Sequence, residues 1–277
     1  MTAQSLTDYS RMAVHTFTTK PWNLQQACEN YAAAGIPGIT VWRNVIEDIG
    51  AEAAGAMIRK SGLEVAALCR GGFFPATEAT QRQAAIEDNL LAIDQAAAIG
   101  APMVVLVCGA VVGMPLAEAR KQITDGIGAC LDHARACNVK LAIEPLHPMY
   151  AADRSAVNTM GQAREICEAL GDPLVGIALD VYHVWWDQDL SYEIKRAGEM
   201  DTLFAFHVCD WKADTNHLLL DRGLMGEGCI DIRSIRSEVE AAGFSGWNEV
   251  EIFSQHHWEK DQRSWLSEIK RAYLDHV

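Results

Sequence analysis

Short segments rich in valine, isoleucine and leucine alternate along this chain with longer segments of helical periodicity. The short segments are nearly continuous in hydrophobicity, which is typical of parallel strands covered on both faces. Eight of them predict strands: Met12–Phe17, Gly38–Trp42, Glu64–Cys69, Met103–Cys108, Lys140–Glu144, Gly176–Asp180, Leu203–His207 and Asn248–Ile252. The segments between them are rich in Ala, Leu, Glu and Gln and predict helices, among them Asn23–Ala34, Ile46–Lys60, Glu78–Ile99, Leu116–Cys137 and Gly161–Leu170.

Cap residues mark the ends of the predicted helices. A glycine, or in the fifth unit an asparagine, stands after a helical segment and shortly before the next strand, where a left-handed C-cap is favoured. These residues are Gly35, Gly62, Gly100, Asn138, Gly171, Gly198 and Gly243. At the N-termini, Thr77 is expected to cap the third helix and Asn158 the fifth.

Eight strand–helix units predict an α/β fold, a (β/α)8 TIM barrel that forms a single domain over residues 1–277. The length suits one barrel better than two small domains, and 49% hydrophobic residues are enough for a large core. A doubly wound open sheet is the alternative, although such sheets usually have fewer units.

Composition narrows the classes of function. The formal net charge is -14 and the sequence pI is near 5.0. Because nucleic-acid binding needs clustered Lys and Arg, and the sequence has no such run, we expect no nucleic-acid partner. This charge balance still allows a small anionic substrate, which one local Arg or Lys could hold.

The cysteines and the N-terminal residues indicate the cellular compartment in which the protein is expected. The eight cysteines form no C-x-x-C pair and are scattered through apolar segments, which predicts buried, reduced thiols. The N-terminal residues lack a basic start followed by an apolar stretch, so no signal peptide is expected. No apolar run reaches the roughly 18 residues that a membrane span needs. We therefore expect a soluble, cytoplasmic protein with no membrane partner.

Polar residues stand at the carboxyl ends of the predicted strands, where the active sites of such barrels lie. The first four strands lead to His15, to Arg43 after Trp42, to Arg70 and to Cys108. The last four end at Glu144, Asp180, His207 and Glu251. Burying each of these last four groups alone at an apolar barrel mouth would be costly, and a bound cation would offset that cost.

Taken singly, each of these acids is explained as well by a helix cap or one half of an ion pair as by a metal ligand. Four such groups on consecutive strands favour one metal site. Three carboxylates and one imidazole suit a divalent Mn, Mg, Co or Fe ion, with Zn also allowed, whereas the cysteine spacing excludes an all-thiolate zinc site.

Five segments carry a family resemblance: AIEPLHP (142–148), GIALDVYHVWWD (176–187), FHVCDW (206–211), DRGLMGEGCID (221–231) and GFSGWNEVEIFS (243–254). They resemble the signature segments of the xylose-isomerase-like sugar (phosphate) isomerase and epimerase barrels. That group includes ketose 3-epimerases, hydroxypyruvate and keto-inositol isomerases, inosose dehydratases and DNA-repair enzymes of the endonuclease IV type. The resemblance covers the whole strand order, and its specific motifs lie in the second half.

The resemblance implies roles for particular residues. In the epimerase branch the matching Glu, Asp, His and Glu bind one divalent metal, so the ligands here would be Glu144, Asp180, His207 and Glu251. The two glutamates would double as the acid and base. His183, in a D-x-x-H pattern that begins at Asp180, would touch a substrate oxygen. Arg222 would match the family's arginine beyond the seventh strand, although the intervening loop is longer here than in the ketose epimerases.

These residue types suit enolisation of a sugar-like or keto-polyol substrate, because a weakly acidic C–H next to a carbonyl needs both a base and stabilisation of the enediolate. Glu144 and Glu251 come from strands three steps apart in an eight-strand ring and would face each other. Returning the proton to the opposite face would give epimerisation, and returning it to the adjacent carbon would give isomerisation. Loss of a β-hydroxyl would give dehydration, and the sequence does not choose among the three.

Further candidates are weaker. His147, His15 and Arg70 are predicted substrate contacts, and a loop histidine bonded to backbone is an equal alternative for His147. Glu227 could sit on a turn or reach the site. Glu249 should point to the same side of its strand as Glu251, either as a partner of the ligands or paired with a cation such as Lys140. The remaining aromatic candidates, in either site walls or ordinary core, are Trp42, Trp185, Trp186 and Trp211.

Three rival functions remain open. A nuclease of the endonuclease IV type would need several more histidine ligands and a basic groove, which the acidic composition opposes. A non-catalytic binding barrel would be expected if a ligand or an acid–base glutamate were missing. Dehydration of a keto-inositol is the third. No glycine-rich phosphate cradle stands after the seventh and eighth strands, which favours a free sugar or a sugar acid, and a homo-oligomer is left open.

Overall fold

Eight parallel strands form a closed barrel in the computed structural model, which describes residues 5–277. The strands are β1 Met12–His15, β2 Gly38–Trp42, β3 Glu64–Gly72, β4 Met103–Val107, β5 Lys140–Glu144, β6 Val175–Asp180, β7 Leu203–Val208 and β8 Asn248–Val250. They follow one another around the ring in sequence order, and β8 pairs with β1. The predicted (β/α)8 fold is therefore confirmed, and the open sheet is excluded.

Helices follow the strands on the outside of the barrel. They are α1 Leu24–Ala33, α2 Ala51–Ser61, α3 Ala79–Ile99, α4 Leu116–Cys137, α5 Met160–Leu170, α6 Val181–Val184, α7 Leu190–Glu199, α8 Ile232–Ala241, α9 Gln255–Trp258 and α10 Gln262–His276, with 3-10 turns at Arg43–Val45 and Pro148–Tyr150. The predicted second helix began too early, at Ile46. Ile46 instead ends the 3-10 turn, and Gly50, whose φ is 78°, is the N-cap residue at which α2 begins.

The two faces of the strands differ in side-chain size. Outward-facing residues such as Val104 and Leu141 join helix residues in one large buried core. The inward-facing residues Ala67, Ala142 and Ala178 form a second, smaller cluster made of strand residues alone. Both faces are apolar, which explains why the strands read as nearly continuous hydrophobic segments. The small interior residues leave the polar side chains at the strand ends to fill the barrel mouth.

The predicted C-caps are mostly confirmed. Gly62, Gly100, Gly171 and Asn138 are left-handed C-caps, and Gly35 and Gly243 have positive φ one residue beyond a C-cap. The prediction for Gly198 was wrong, because this residue lies inside α7. A Cβ at Gly198 would stand 2.3 Å from the carbonyl oxygen of Ala242. The glycine therefore allows the C-terminal end of α8 to pack closely against α7.

Both predicted N-caps were wrong by one residue. Thr159, rather than Asn158, accepts the backbone N–H of Gln162 at the start of α5. The amide of Asn158 instead donates to two backbone carbonyls of the preceding loop. The N-cap position of α3 is Glu78, which makes no side-chain cap bond, so Thr77 lies one residue outside the helix.

Most of the cysteines are buried, as their positions in apolar segments predicted. All eight cysteines are free; six are buried, Cys137 is half-buried and Cys229 is exposed, so the expectation of burial was wrong for Cys229. Among the helices of residues 5–277, none combines the length and the apolar character that crossing a membrane requires.

The same substitution at two glycines is expected to have opposite effects on stability. Gly171 has φ 57°, so Gly171→Ala should lower the free energy of unfolding by about 1 kcal/mol. Gly128 lies inside α4, where an added Cβ would only reach ordinary contact at 3.4 Å from Leu170, so Gly128→Ala should raise it by about 0.5–1 kcal/mol. Urea unfolding followed by circular dichroism measures both. Shifts of the same sign would contradict the assigned backbone conformations.

Candidate functional site

The last four strands bring four ionisable groups together at the barrel mouth. Glu144 and Asp180 are the final residues of β5 and β6, His207 is next to last in β7, and Glu251 directly follows β8. One ligand atom from each lies within 4.8 Å of the others, and all four residues are buried. We call this set the quartet. His207 Nδ1 stands 3.1 Å from Glu144 Oε1 and 3.5 Å from Glu251 Oε2, so the imidazole links the two glutamates.

A cavity of about 550 Å³ opens above the quartet. Of the residues proposed from the sequence, those that line it are Trp42, Arg70, Glu144, His183, Arg222 and Glu251. Asp180 and His207 have no exposed surface and lie beneath its floor. Aromatic side chains, including Phe17 and Phe253, form part of the wall. The cavity therefore combines an acidic floor with partly apolar sides, as small-molecule sites do.

His15 and Glu249 lie one layer deeper, inside the barrel. His15 is fully buried, with Nδ1 3.1 Å from Glu251 Oε1 and Nε2 3.5 Å from Glu249 Oε2. Thr40 donates a hydrogen bond of 2.5 Å to Glu249. Lys140, the cation proposed as an alternative partner for Glu249, lies over the ring of Phe204 instead. His15 is thus placed to support Glu251 from below, and in the described chain it does not line the cavity.

The buried charges shift one another's pKa values. Burial raises the pKa of Asp180 to about 7, although the Arg222 guanidinium opposes that change. Burial alone would lower the pKa of His207, but the surrounding glutamates raise it well above its usual range. Burial alone would raise the pKa of Glu251, but His15 and Arg222 hold it well below its usual range. The raised pKa values of His15 and His207 favour protonated imidazoles, which balance the charge of these carboxylates together with Arg222.

Arg222 is the permanent cation of the site. Its Nη1 donates to Asp180 Oδ2 at 2.8 Å and to Glu251 Oε2 at 3.1 Å, and the guanidinium lies over the rings of Tyr182 and Phe253. Because the loop before Arg222 is longer than in the ketose epimerases, the sequence alone did not show whether this arginine reaches the site. The structure brings the side chain into contact with two members of the quartet.

A buried aspartate holds the loop that carries Arg222. Asp210 accepts hydrogen bonds from the backbone N–H groups of Trp211, Gly226, Gly228 and Ile230. A Cβ at Gly228 would lie 2.2 Å from the carbonyl oxygen of Trp211, which explains the glycine. Sequence reasoning missed Asp210. The signal was present, since this aspartate stands two residues after β7 and the same loop contains a Gly-Glu-Gly turn.

His183 faces the cavity from the start of α6. Its Nδ1 accepts the backbone N–H of His147 at 3.2 Å, which leaves Nε2 near Arg222 Nη2, at 3.1 Å, and near Asp180 Oδ2, at 3.6 Å. Burial, followed by the charge of Arg222, holds the pKa of His183 well below its usual range. His183 is therefore a neutral imidazole at neutral pH, able to exchange hydrogen bonds with a bound molecule.

The remaining candidates lie outside the cavity lining of the described chain. The ring of His147 accepts the backbone N–H of Met149 and packs against Trp211, which corresponds to the backbone-bonded alternative for that residue. Glu227 contacts His257, 3.5 Å away, at the surface. The other tryptophans away from the lining are Trp185 and Trp186.

Sequence reasoning missed two further residues of the site. Thr18 donates to the carbonyl oxygen of Val250 and accepts the N–H of Ile252, so it brackets Glu251 on both sides. Arg154, in the loop before α5, lines the cavity. Neither residue stands at a strand end, so the rule that located the quartet could not find them.

The quartet has the donor set and spacing for one divalent cation. Three carboxylates and an imidazole converge from separate strands, and the deeper Glu249 brings a fourth carboxylate against a single guanidinium. A divalent ion held by hard oxygen donors and one nitrogen would offset this excess of negative charge. His207 would need to lose its proton to serve as a ligand.

Two solved structures are similar over nearly the whole chain. The crystal structure of protein SMc04130 from Sinorhizobium meliloti 1021 has a TM-score of 0.94 at 46% identity, covering 98% of this chain and 99% of that one. A structure of the IolI protein, described as having a binding zinc atom, has a TM-score of 0.84 at 22% identity, covering 96% and 97%. The second likeness concerns the fold alone.

A curated relative and a family model agree with this fold. An inosose isomerase from Halalkalibacterium halodurans is 27% identical over 147 residues, which are 52% of this chain and 50% of that protein. The match thus spans about half the length of the curated relative. The family model described as xylose isomerase-like TIM barrel matches residues 28–270, which is most of the chain. This protein therefore belongs to the xylose isomerase-like TIM barrel family.

Proposed function

We propose that this protein is a divalent-metal-dependent isomerase or epimerase that moves a proton next to the carbonyl of a sugar or keto-polyol. One observation carries the proposal: the ligand atoms of Glu144, Asp180, His207 and Glu251 converge within 4.8 Å beneath a cavity of about 550 Å³. The inosose isomerase relative supports an enzyme that acts on a keto-polyol or a similar small molecule.

The quartet would hold the metal. A bound divalent ion at this place would supply Lewis-acid stabilisation of an enediolate. Mn, Mg, Co, Fe and Zn ions all match the donor set. The second ring nitrogen of His207 stands 3.8 Å from Glu249 Oε2, so that carboxylate is placed to orient the imidazole from below.

Glu144 and Glu251 are the proposed acid and base. They reach the cavity from β5 and from the residue after β8, on two sides of the barrel mouth, and both line the cavity. A carboxylate on each side of the substrate lets one remove a proton and the other return it. Thr18 and His15 fix Glu251 through its backbone neighbours and its side chain, so its position is set before substrate binds.

His183 and Arg222 are the proposed substrate contacts nearest to the reacting carbons. Both line the cavity and both lie beside Asp180. Because Nδ1 of His183 accepts the N–H of His147, the neutral imidazole carries its proton on Nε2 and can donate it to a substrate oxygen. Arg222 lowers the pKa of Glu251 and opposes the rise in the pKa of Asp180 while it faces the same space, which favours their role as ligands.

Glu251→Gln should abolish proton exchange at the substrate. The metal-loaded protein is incubated in deuterated water with a panel of ketoses and keto-inositols, and deuterium uptake next to the carbonyl is followed by NMR. We expect metal-dependent uptake that Glu251→Gln slows by about 10²-fold or more, because the amide cannot accept the proton. Glu227→Gln, which removes a glutamate outside the cavity, is the matched control and should keep the wild-type rate.

The products of the same reactions distinguish the related chemistries. A ketose or keto-inositol inverted at the carbon that exchanged indicates epimerisation, and a carbonyl moved to the neighbouring carbon indicates isomerisation. Net loss of water with a diketone product would instead assign the protein as a dehydratase. Exchange at the wild-type rate in Glu251→Gln would show that the acid–base assignment is wrong.

Metal uptake should release protons and weaken as the pH falls. In the protein without metal, burial raises the pKa of Asp180 to about 7, and the pKa of His207 is raised as well. A cation must displace these protons, so its affinity should fall by about tenfold or more for each pH unit below about 7. Titration calorimetry with Mn²⁺ between about pH 6 and about pH 8 measures this.

Asp180→Asn is the informative variant for this titration, with Glu227→Gln again as the control. The first should lose most of the affinity, and the second should titrate like the wild type. Dialysis against a chelator should remove the bound ion and, with it, deuterium exchange. An affinity that does not change with pH, or the absence of uptake of any divalent ion, would refute the metal site.

A further inference from the structure

Two arginines in the cavity have no ionic partner among residues 5–277. Arg70 and Arg154 both line the cavity, and neither guanidinium takes part in a hydrogen bond or ion pair of the described chain. Each instead lies near an aromatic ring, Arg70 with Cζ 4.3 Å from the centroid of Phe73 and Arg154 with Cζ 5.5 Å from that of Tyr150. We call these two residues the arginine pair.

The other cations of this cavity are all paired. Arg43 makes a bidentate ion pair with Asp88, with both N–O distances 2.8 Å, and Arg222 contacts Asp180 and Glu251. The whole chain has 37 acidic residues against 23 Lys and Arg, so acidic partners are plentiful. Two unpaired guanidinium groups in one cavity of so acidic a protein indicate a ligand that supplies the negative charge.

The arginine pair is held close to the cavity by rigid backbone. Arg70 lies within β3, and the next residues are fixed by Asn89, whose side chain accepts the N–H of Gly72 and donates to its carbonyl oxygen. Arg154 follows the 3-10 turn, where its own N–H donates to the carbonyl oxygen of Tyr150 and its carbonyl oxygen accepts the N–H of Gly109. Because the backbone at both positions is already fixed, binding needs to order only the two side chains.

The two charges are also near enough to oppose each other. Burial lowers the pKa of Arg70, and the like charge of Arg154 lowers it further. Two cations that repel each other in a partly buried cavity raise the free energy of the empty site, and an oxyanion between them would remove that repulsion. The charge of Glu144 raises the pKa of Arg70 and so acts against the effect of Arg154, but the proposed function assigns that carboxylate to the metal.

We propose that the arginine pair binds an oxyanion group of the substrate, a carboxylate or a phosphate ester. This inference rests on the proposed function for the location of the reacting end, at the quartet. The substrate would then be an anionic keto sugar rather than a neutral one. Arginine suits this task because its planar guanidinium makes charge-assisted, often bidentate, hydrogen bonds to carboxylate and phosphate oxygens.

A matched series of ligands tests the proposal by binding rather than by turnover. D-glucitol, D-gluconate and D-glucitol 1-phosphate differ only at C1, and titration calorimetry measures their affinity for the Mg²⁺-loaded protein and for protein stripped of metal with a chelator that is then dialysed away. In the metal-free titration, a probe cannot gain affinity by chelating the metal. We expect at least one anion to bind about tenfold or more tightly than glucitol in both arms. Preference for gluconate alone assigns a carboxylate, and preference for the phosphate alone assigns a phosphate ester.

Variants connect the preference to the arginine pair. Arg70→Gln and Arg154→Gln should each weaken the preferred anion by about tenfold and leave glucitol unchanged. The double variant Arg43→Gln, Asp88→Asn removes the neighbouring ion pair without changing the net charge of the cavity wall, and should keep the preference. Arg70→Lys should retain more of it than Arg70→Gln, which separates loss of charge from loss of folding.

The outcomes distinguish this inference from the proposed function. Equal affinity of the three probes within about twofold, or full anion preference in the Arg70→Gln, Arg154→Gln double variant, overturns the arginine pair as an oxyanion site. Anion preference without deuterium exchange on any ketose would leave the arginine pair standing and refute the isomerase. Exchange that is as fast on neutral ketoses as on anionic ones would overturn the anionic substrate and leave the isomerase standing.

Discussion

The burial of negative charge at the barrel mouth is the constraint on which the site depends. Glu144, Asp180, Glu249 and Glu251 are each no more than 6% exposed, and they face one another across a few ångströms. Carboxylates in such a place are strongly unfavourable unless cations accompany them. The eight-strand ring creates the problem, because parallel strands deliver their terminal side chains to one edge. Arg222, His15 and His207 lie beside these carboxylates and offset their charge.

Much of the surrounding structure serves to keep that compensation in place. Arg222 comes from a loop, and a loop has no hydrogen-bond ladder to fix it. Asp210 substitutes for such a ladder by accepting four backbone N–H groups, and the lack of a side chain at Gly228 lets the chain approach it closely. The buried aspartate is thus two steps removed from the chemistry: it shapes the loop, the loop places the guanidinium, and the guanidinium holds two members of the quartet.

The barrel and the quartet could be predicted from sequence because both follow from local pattern and register. In a barrel of parallel strands, a strand that ends at Glu144 or Asp180 places that side chain at the mouth, independently of the loop that follows. The parts that could not be predicted depend on distant contacts. Gly198 resembles a helix end, but its role is set by Ala242 on the next unit, and the place of Arg154 depends on a backbone bond to Gly109, in the loop after β4. These contacts join residues that are far apart in sequence, so the residues around each position do not predict them.

The division between strand ends and loops also separates two tasks of the proposed enzyme. The quartet is fixed by four neighbouring strand ends, so the chemistry that it supports is tied to the architecture of the family. The arginine pair combines a strand residue with a loop residue, and loops vary more freely than strands. Because the fold itself does not determine the substrate, the groups that select it should lie where the chain can change without disturbing the charge balance below. Arg154 lies in such a place, and Glu251, bracketed by Thr18 and His15, does not.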